Sequence, residues 1–368
     1  MDTRLPRSKW ALMLLTALSV LLILTIDAGA SSTGQQGDEN IVCLGCHANP
    51  ELKMQLPSGE ELSLYVDPDA FNASVHGQLG QKCTACHDGI SGYPHPPLFA
   101  VDRRDLSLGL YTSCRRCHEK QYREGLDSVH ARLLAGGDRR APICTDCHGY
   151  HDVAPPDEPR SRITHTCSKC HSTIYNEYKE SVHGAALLEE SNPDVPTCID
   201  CHGAHHMEDP RTARFRLKSP WICAGCHTDP VRIGKYGIST DVLDTYVADF
   251  HGTTVELFAK QSPDQPTNKA VCYDCHGIHN IKKVTDPEAT VVKENLLRTC
   301  RQCHPDATAN FPTAWVKHYR ASPQQYPLVY YVQLFYRILI PTLIGFFVVY
   351  ILLDIARRTV ERFAQRGA

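Results

Sequence analysis

Hydrophobic residues gather at the two ends of this chain and thin out between them. Trp10 to Ile26 is one apolar run. It follows Arg4, Arg7 and Lys9 and is closed by Ala28-Gly29-Ala30, the order of basic start, apolar stretch and small-residue cleavage signal in an export sequence. The run is also about 17 residues long, the lower limit for crossing a bilayer. Residues 1–30 therefore read as a signal peptide, with an uncleaved N-terminal anchor as the other reading. Leu328 to Leu353 is the second run and carries a single charge, Arg337. Its length suffices to span about 30 Å of hydrocarbon with some tilt. Tyr326, Tyr330, Tyr331 and Tyr336 lie at one end, as in an aromatic belt, and Arg357, Arg358, Arg362 and Arg366 follow the other, as the positive-inside rule expects. The pattern predicts a transmembrane helix over 328–353, with Pro341 placed to kink it, and a cytoplasmic basic tail over 354–368. Everything between the two runs then lies outside the cytoplasm.

Between the runs the pattern is short and broken. Tyr122, Leu126, Val129 and Leu133-Leu134 fall at helical spacing, as do Ile174, Tyr178 and Val182. Loops rich in Pro, Gly and Asp, such as Pro193-Asp194-Val195-Pro196, separate them. The same words recur along residues 31–320. One is D-S-V-H ending at His130, E-S-V-H at His183, A-D-F-H at His251 and A-S-V-H at His76. A second is T-D-C-H-G-Y-H over 145–151, I-D-C-H-G-A-H over 199–205 and Y-D-C-H-G-I-H over 273–279. Both words sit in a module that opens and closes with the pentad C-x-x-C-H. The module is clear at 114–151, 167–205 and 223–279, looser at 43–95, and halved at 300–318, giving four and a half copies.

All 18 cysteines belong to these pentads. They are Cys43/Cys46/His47, Cys83/Cys86/His87, Cys114/Cys117/His118, Cys144/Cys147/His148, Cys167/Cys170/His171, Cys198/Cys201/His202, Cys223/Cys226/His227, Cys272/Cys275/His276 and Cys300/Cys303/His304. A disulfide framework does not require a His after each second cysteine. A zinc site draws four ligands from two paired motifs, and nine is an odd number of pairs. A thioredoxin-like C-x-x-C occurs once or twice. The pentad is the attachment signature of c-type haem: two thiols add across the vinyl groups and the adjacent His reaches the iron from one face. The expected cofactors are nine covalently bound haem c groups. The expected fold class is mainly α with much irregular backbone, a haem-dominated domain of two-haem repeats over 31–320 followed by the transmembrane helix, with little chain for sheets or long helices. The formal net charge is −3, which haem propionates would make more negative. That argues against nucleic-acid binding, which needs a basic footprint.

The chain has 20 histidines. Nine are proximal ligands in the pentads. His76, His95, His130, His151, His183, His205, His251, His279 and His318 fall at repeat-related positions and are the candidates for the opposite iron faces. His165 and His206 are spare, with His206 able to replace His205. Beyond residue 30 the only methionines are Met54 and Met207, so Met ligation, which raises the potential, cannot be general. A trailing histidine such as His151, His205 or His279 lies three residues after a proximal one. That is too short to pass round the ring, so it must serve a neighbouring haem. His118 to His130 and His171 to His183 would be about 18 Å apart on a straight helix, so the helix breaks or serves a neighbour. Six-coordinate irons leave no open position for substrate. The expectation is an electron-transfer subunit more than a stand-alone enzyme, with no catalytic residue assigned.

Over residues 43–320 the S-V-H-G and D-C-H-G-x-H words resemble those of the bacterial multihaem c-type cytochromes, both decahaem electron conduits and membrane-anchored respiratory cytochromes. The resemblance implies distal ligation of stacked haems and an inner-membrane protein with its haem domain in the periplasm or outside. It also implies electron flow from menaquinol, directly or through a cytochrome b or iron–sulfur membrane partner, to periplasmic or extracellular redox partners. The ninth pentad, nearest the anchor in sequence, is the expected point where electrons enter, with Lys317, Arg320 and Arg337 near the interface. The alternatives are a multihaem oxidoreductase acting on a small nitrogen or sulfur oxyanion, and a haem-wire structural subunit.

Overall fold

The structure is a computed structural model that describes residues 38–90, 92–314 and 318–366. The signal reading of residues 1–30 and the placement of Lys317 lie outside the described residues. From Asp38 to Ala314 the chain is a succession of short helices joined by turns, in line with the mainly α expectation. Two features were not expected. Lys53–Gln55 and Glu61–Ser63 form an antiparallel hairpin with Met54 opposite Leu62, turned at Gly59 with φ +87°. Ala213–His227 is a helix of 15 residues that contains Pro220. Thr212 caps its start by accepting from the Phe215 N–H at 3.2 Å.

Chain contacts define two compact units. One runs to Glu119 and takes in Ile143–Pro155; the other comprises Lys120–Pro142 and the chain from Pro156 onward. The division falls inside the region read from sequence as one domain. In the second unit Leu217, Tyr246, Val255 and Val271 form a buried apolar cluster with Leu243, Val247, Phe258 and Tyr273 packed against it.

The S-V-H word is a helix break with a cap. Helix Ser172–Lys179 stops, Ser181 takes an extended conformation, and its hydroxyl accepts from the Gly184 N–H at 3.0 Å to start helix Val182–Leu188. Ser74 does the same for Gly77 and Ser128 for Ala131, the arrangement expected of serine at an N-cap. The break folds the second helix back against the first. A Cβ on Gly184 would run into the Tyr178 carbonyl, one on Gly77 into that of Phe71, and one on Gly252 into that of Tyr246. These glycines are required by close approach rather than by unusual φ. In the module with Ala131 at this position, the residue six places back is Gly125 instead of an aromatic.

The D-C-H-G word is a five-residue helix: Cys144–His148, Cys198–His202 and Cys272–His276. Its aspartate caps the helix from inside, accepting from the backbone N–H of Ile143 at 2.7 Å, Thr197 at 2.6 Å and Val271 at 2.7 Å. Its glycine ends it, with φ +76°, +77° and +84° at Gly149, Gly203 and Gly277 and ψ near ±170°, a region essentially closed to other residues. The two words then bond to one another. The Val75 N–H donates to the Val153 carbonyl at 2.8 Å, Val129 to Met207 at 2.7 Å and Val182 to Ile281 at 2.8 Å. In each case the S-V-H of one module meets the backbone two residues past the trailing His of the next.

The C-terminal helix runs Pro327–Arg366 and continues through Pro341. It is long and apolar enough to cross a membrane, and none of its most apolar window is buried by the rest of the protein. The helix extends past Leu353, and Asp354 pairs with Arg357 at 3.1 Å and Arg358 at 2.7 Å.

Replacing Gly184 by Ala should destabilise the protein by about 1–3 kcal/mol, the usual cost of overpacking. Gly109→Ala, in a helix with open space around the new methyl group, should be neutral or stabilising by up to about 1 kcal/mol. Denaturant unfolding of the two variants checks both.

Candidate metal centres

The pentad histidines are brought together in pairs with the histidines predicted to be distal. In the first unit His47 lies against His95 with ring centroids 6.5 Å apart, His76 against His118 at 6.1 Å and His87 against His151 at 6.0 Å. In the second unit the pairs are His130–His171 at 6.3 Å, His183–His227 at 6.2 Å, His202–His279 at 6.2 Å, His251–His304 at 6.2 Å and His276–His318 at 6.1 Å. Every pair joins one pentad His to one non-pentad His. His148 and His205 are the remaining two of the predicted set and belong to different units.

The pairing follows a rule. The S-V-H histidine of one module meets the first pentad of the next: His76 with His118, His130 with His171, His183 with His227, His251 with His304. The trailing histidine reaches back to the second pentad of the module before: His151 with His87 and His279 with His202. Thus the helix break at Ser181 and service to a neighbour, weighed as alternatives from spacing, occur together. His318 follows the last pentad in sequence but pairs with His276, leaving His304 to His251. The spare His165 packs on Tyr175 with centroids 5.6 Å apart.

The separation is chemically informative. A metal–imidazole bond of about 2.0 Å puts the ring centroid roughly 3.2 Å from the metal, so two trans imidazoles should lie about 6.3 Å apart. The observed pairs span 6.0–6.5 Å. Among the described residues no three His, Cys, Asp or Glu side chains converge into a cage. The donors come in twos, which fits a metal whose equatorial positions are filled by a macrocycle. The cysteines fit as well. None of the 18 thiols is buried or in a disulfide, so each is open to a vinyl group.

The two cysteines of a pentad, given one role from sequence, are placed differently. Within a module the first cysteines of the two pentads are in hydrogen-bond contact: Cys43 with Cys83, Cys114 with Cys144, Cys167 with Cys198 and Cys223 with Cys272. The second cysteines do not share that junction. Cys46, Cys117, Cys147 and Cys170 are exposed, and Cys226 is half-buried with Arg232 donating to its Sγ at 2.9 Å. The two cysteines of these pentads are thus set differently. The reason is the helical turn of the pentad. It carries the fourth residue one turn, about 5 Å, beyond the first, clear of the packed junction. Several second cysteines face the following module instead. Cys86 is raised in part by Cys114 and Cys117, Cys201 by Cys223 and Cys226, and Cys275 by Cys300 and Cys303, after the larger effect of burial in each case.

Nine of the imidazoles are pushed toward the neutral form, the one that ligates. Burial pushes His183 and His276 down to about 4, with the partner histidine adding to the effect. His87, His130, His151, His202, His227, His279 and His318 are lowered, burial again being the main cause. His47 Nδ1 lies 2.6 Å from the Leu64 carbonyl. That bond fixes the proton on Nδ1 and leaves Nε2 for the metal, as outer contacts of metal-binding histidines commonly do.

Sequence reading missed the residues that hold the two pentads of a module together. Arg104 reaches Asp146 at 2.8 Å, Arg160 reaches Asp200 at 3.0 Å and Arg216 reaches Asp274 at 2.7 Å. The aspartate was visible in the repeated D-C-H-G word, and Arg160 and Arg216 both stand seven residues before a first cysteine. Arg320 pairs with Asp241 at 3.0 Å and with Asp244. The Ser239 hydroxyl donates to the His318 carbonyl at 3.0 Å.

Comparison with family models, curated proteins and solved structures gives no match.

Two outcomes follow from this geometry. The buried histidines titrate lower in the folded state than the unfolded value of about 6.5. Their burial therefore costs nothing well above pH 6.5. It costs progressively more as pH falls through 6.5, levelling off near 4. In the chain without bound haem the urea midpoint should be flat from about pH 7 to 8.5 and decline steadily from about 6.5 to 4. The second outcome concerns ring orientation. The imidazole planes cross at 61° in His76–His118, 54° in His183–His227 and 62° in His251–His304. They are within 25–33° of parallel in the other five pairs. Parallel rings donate into one iron d orbital and split it from its partner; crossed rings leave the two nearly degenerate. With haem bound, paramagnetic resonance should show two low-spin classes, rhombic and highly anisotropic, the rhombic more abundant.

Proposed function

We propose that this chain is a membrane-anchored c-type cytochrome that binds nine haems covalently and carries electrons between the membrane and redox partners on the outer side of the cytoplasmic membrane. The observation that carries the reading is the recurrence of one imidazole separation in eight pairs, each joining a C-x-x-C-H histidine to a histidine from another part of the repeat. Haem held by these histidine pairs would supply one-electron redox chemistry.

The protein's own contribution is positional. The pentad thiols would hold each haem covalently, the first from the junction within a module and the second from its accessible side. The paired imidazoles would favour a low-potential, low-spin iron and leave it no room for a substrate. Burial of His183 and His276 keeps water and protons from the ligating nitrogens. Cross-module ligation holds neighbouring sites at fixed separations, which is what tunnelling between them requires. The C-terminal helix gives a single-pass anchor with its basic end in the cytoplasm. One helix is poor material for a whole quinone pocket. The donor is accordingly menaquinol handled with a membrane partner, a cytochrome b or iron–sulfur protein, and the acceptors are periplasmic or extracellular redox proteins.

In detergent-solubilised membranes containing the full chain and its co-purifying subunits, menaquinol analogues should reduce most of the haem, and the oxidised protein should show low-spin signals alone. Failure of quinol reduction with those subunits present would remove the quinol role. A high-spin component that disappears on adding nitrite, hydroxylamine or tetrathionate would favour a multihaem oxidoreductase instead.

A further inference from the structure

Three modules share an ion pair that links the approach to the first pentad with the interior of the second. Arg104 lies in helix Arg103–Leu110, ahead of the Cys114 pentad; Arg160 immediately precedes helix Ser161–Ser168; Arg216 lies in helix Ala213–His227. Their partners Asp146, Asp200 and Asp274 stand directly before the second cysteine of the closing pentad. The same carboxylate oxygen serves both contacts. Asp146 Oδ2 accepts from the Ile143 N–H at 2.7 Å and from Arg104 at 2.8 Å. Asp200 Oδ2 accepts from the Thr197 N–H, the Thr197 hydroxyl and Arg160. Asp274 takes the fork of Arg216 through both oxygens, at 3.1 and 2.7 Å, and the Val271 N–H at 2.7 Å.

The guanidinium also ties down the segment leading into the closing pentad. Arg160 donates to the Pro193 and Val195 carbonyls, and Arg216 to the Lys269 carbonyl and the Tyr273 hydroxyl. The Nε–H of both arginines is buried without a hydrogen-bond partner, so each fork is aimed wholly by its terminal nitrogens. Tyr178 and Tyr246 add a parallel strut by donating to the Pro196 and Ala270 carbonyls at 2.6 and 2.7 Å. The joined parts are those that bring the first cysteines of the two pentads into contact.

Axial ligands follow a different route. In module 223–279, His227 is partnered by His183 and His276 by His318, neither of which the arginine touches. Spacing within a module and ligation between modules are thus mechanically separate.

We propose that Arg104, Arg160 and Arg216 are positioning residues that set the spacing, and so the electronic coupling, of the two haem sites within each module. The proposal rests on the haem reading given above. A planar two-pronged fork held by a carboxylate has one geometry; a lysine ammonium in its place keeps the charge and loses the register.

The test uses the full-length, haem-loaded protein in detergent, comparing wild type with Arg216→Lys and Arg216→Gln. Haem content is counted by pyridine haemochrome, and sites are followed by potentiometric paramagnetic resonance. In Arg216→Lys the relative potential of the two sites at His227 and His276 should change roughly tenfold in equilibrium constant, 59 mV for one electron, and their magnetic interaction should change with it. All irons should stay low-spin and haem content should be unchanged. Arg216→Gln should lower both potentials in addition, because a positive charge beside the oxidised irons is gone. If Arg216→Lys does not accumulate, Arg160→Lys reads the same effect at His171 and His202, from a more exposed pair. Unaltered potentials and coupling in a haem-loaded Lys variant would overturn the clamp alone. Conversion to high-spin iron would overturn it too, because the arginine would then be supporting ligation. A purified wild-type chain without covalent haem would overturn both the clamp and the reading beneath it.

Discussion

The constraint on which this structure depends is that paired imidazoles face each other across about 6 Å. No short segment can meet it alone. A histidine three residues past its neighbour cannot turn to the far side of the same centre, and one twelve residues along a straight helix overshoots. The chain solves this by drawing the two members of each pair from separate parts of the repeat. His118, His171, His227 and His304 meet a histidine from the module before, and His87, His202 and His276 meet one from the module after, while His47 meets His95 of its own module. Most pairs are therefore also ties between modules. Backbone bonds such as Val182 to Ile281 run parallel to those ties.

This explains why so small an apolar core accompanies so long a chain. The cluster around Leu217, Tyr246, Val255 and Val271 is modest for the second unit, and many apolar side chains elsewhere, such as Phe99, Tyr93 and Phe250, are well exposed. Order comes largely from local devices repeated along the chain: a serine cap, a glycine that lets one helix fold onto another, an aspartate that caps from the third position, a glycine with positive φ. Each is worth on the order of 1 kcal/mol. Together they leave the histidines in place. Binding of a group that bridges the pairs would then couple directly to folding, as metal binding does in small domains.

The ends of the repeat show what it needs. In A-D-F-H an aspartate replaces serine, and Asp249 caps the Phe250 N–H itself at 2.5 Å. Later in the chain there is no further D-C-H-G loop for that N–H to reach. At the same end His318, on the stretch that leads to the C-terminal apolar helix, is fastened by Ser239 through its carbonyl and by Arg320 to Asp241 and Asp244. Arg320 thus holds the segment that carries His318, because two carboxylates are within its reach.

The sequence alone determined the helical character and the long C-terminal apolar helix, and it singled out the histidines that the structure brings into eight pairs. These follow from local chemistry: cap residues, helical periodicity, and the recurrence of the same words around each histidine. Even the exclusion of His151 and His279 from their own neighbours was legible, because three residues span too little distance. Which histidine meets which was decided only by the tertiary structure, since partners such as His202 and His279, or His251 and His304, are separated by long loops whose return path no local pattern encodes. The unlike settings of the two cysteines in a pentad were hidden for the same reason: Cys167 meets Cys198 while Cys170 stays exposed. The same holds for Arg160 with Asp200 and Arg216 with Asp274, forty and fifty-eight residues apart, and for the hairpin at Lys53–Ser63. Those contacts depend on how one module closes over the next, and a chain read residue by residue carries no record of that closure.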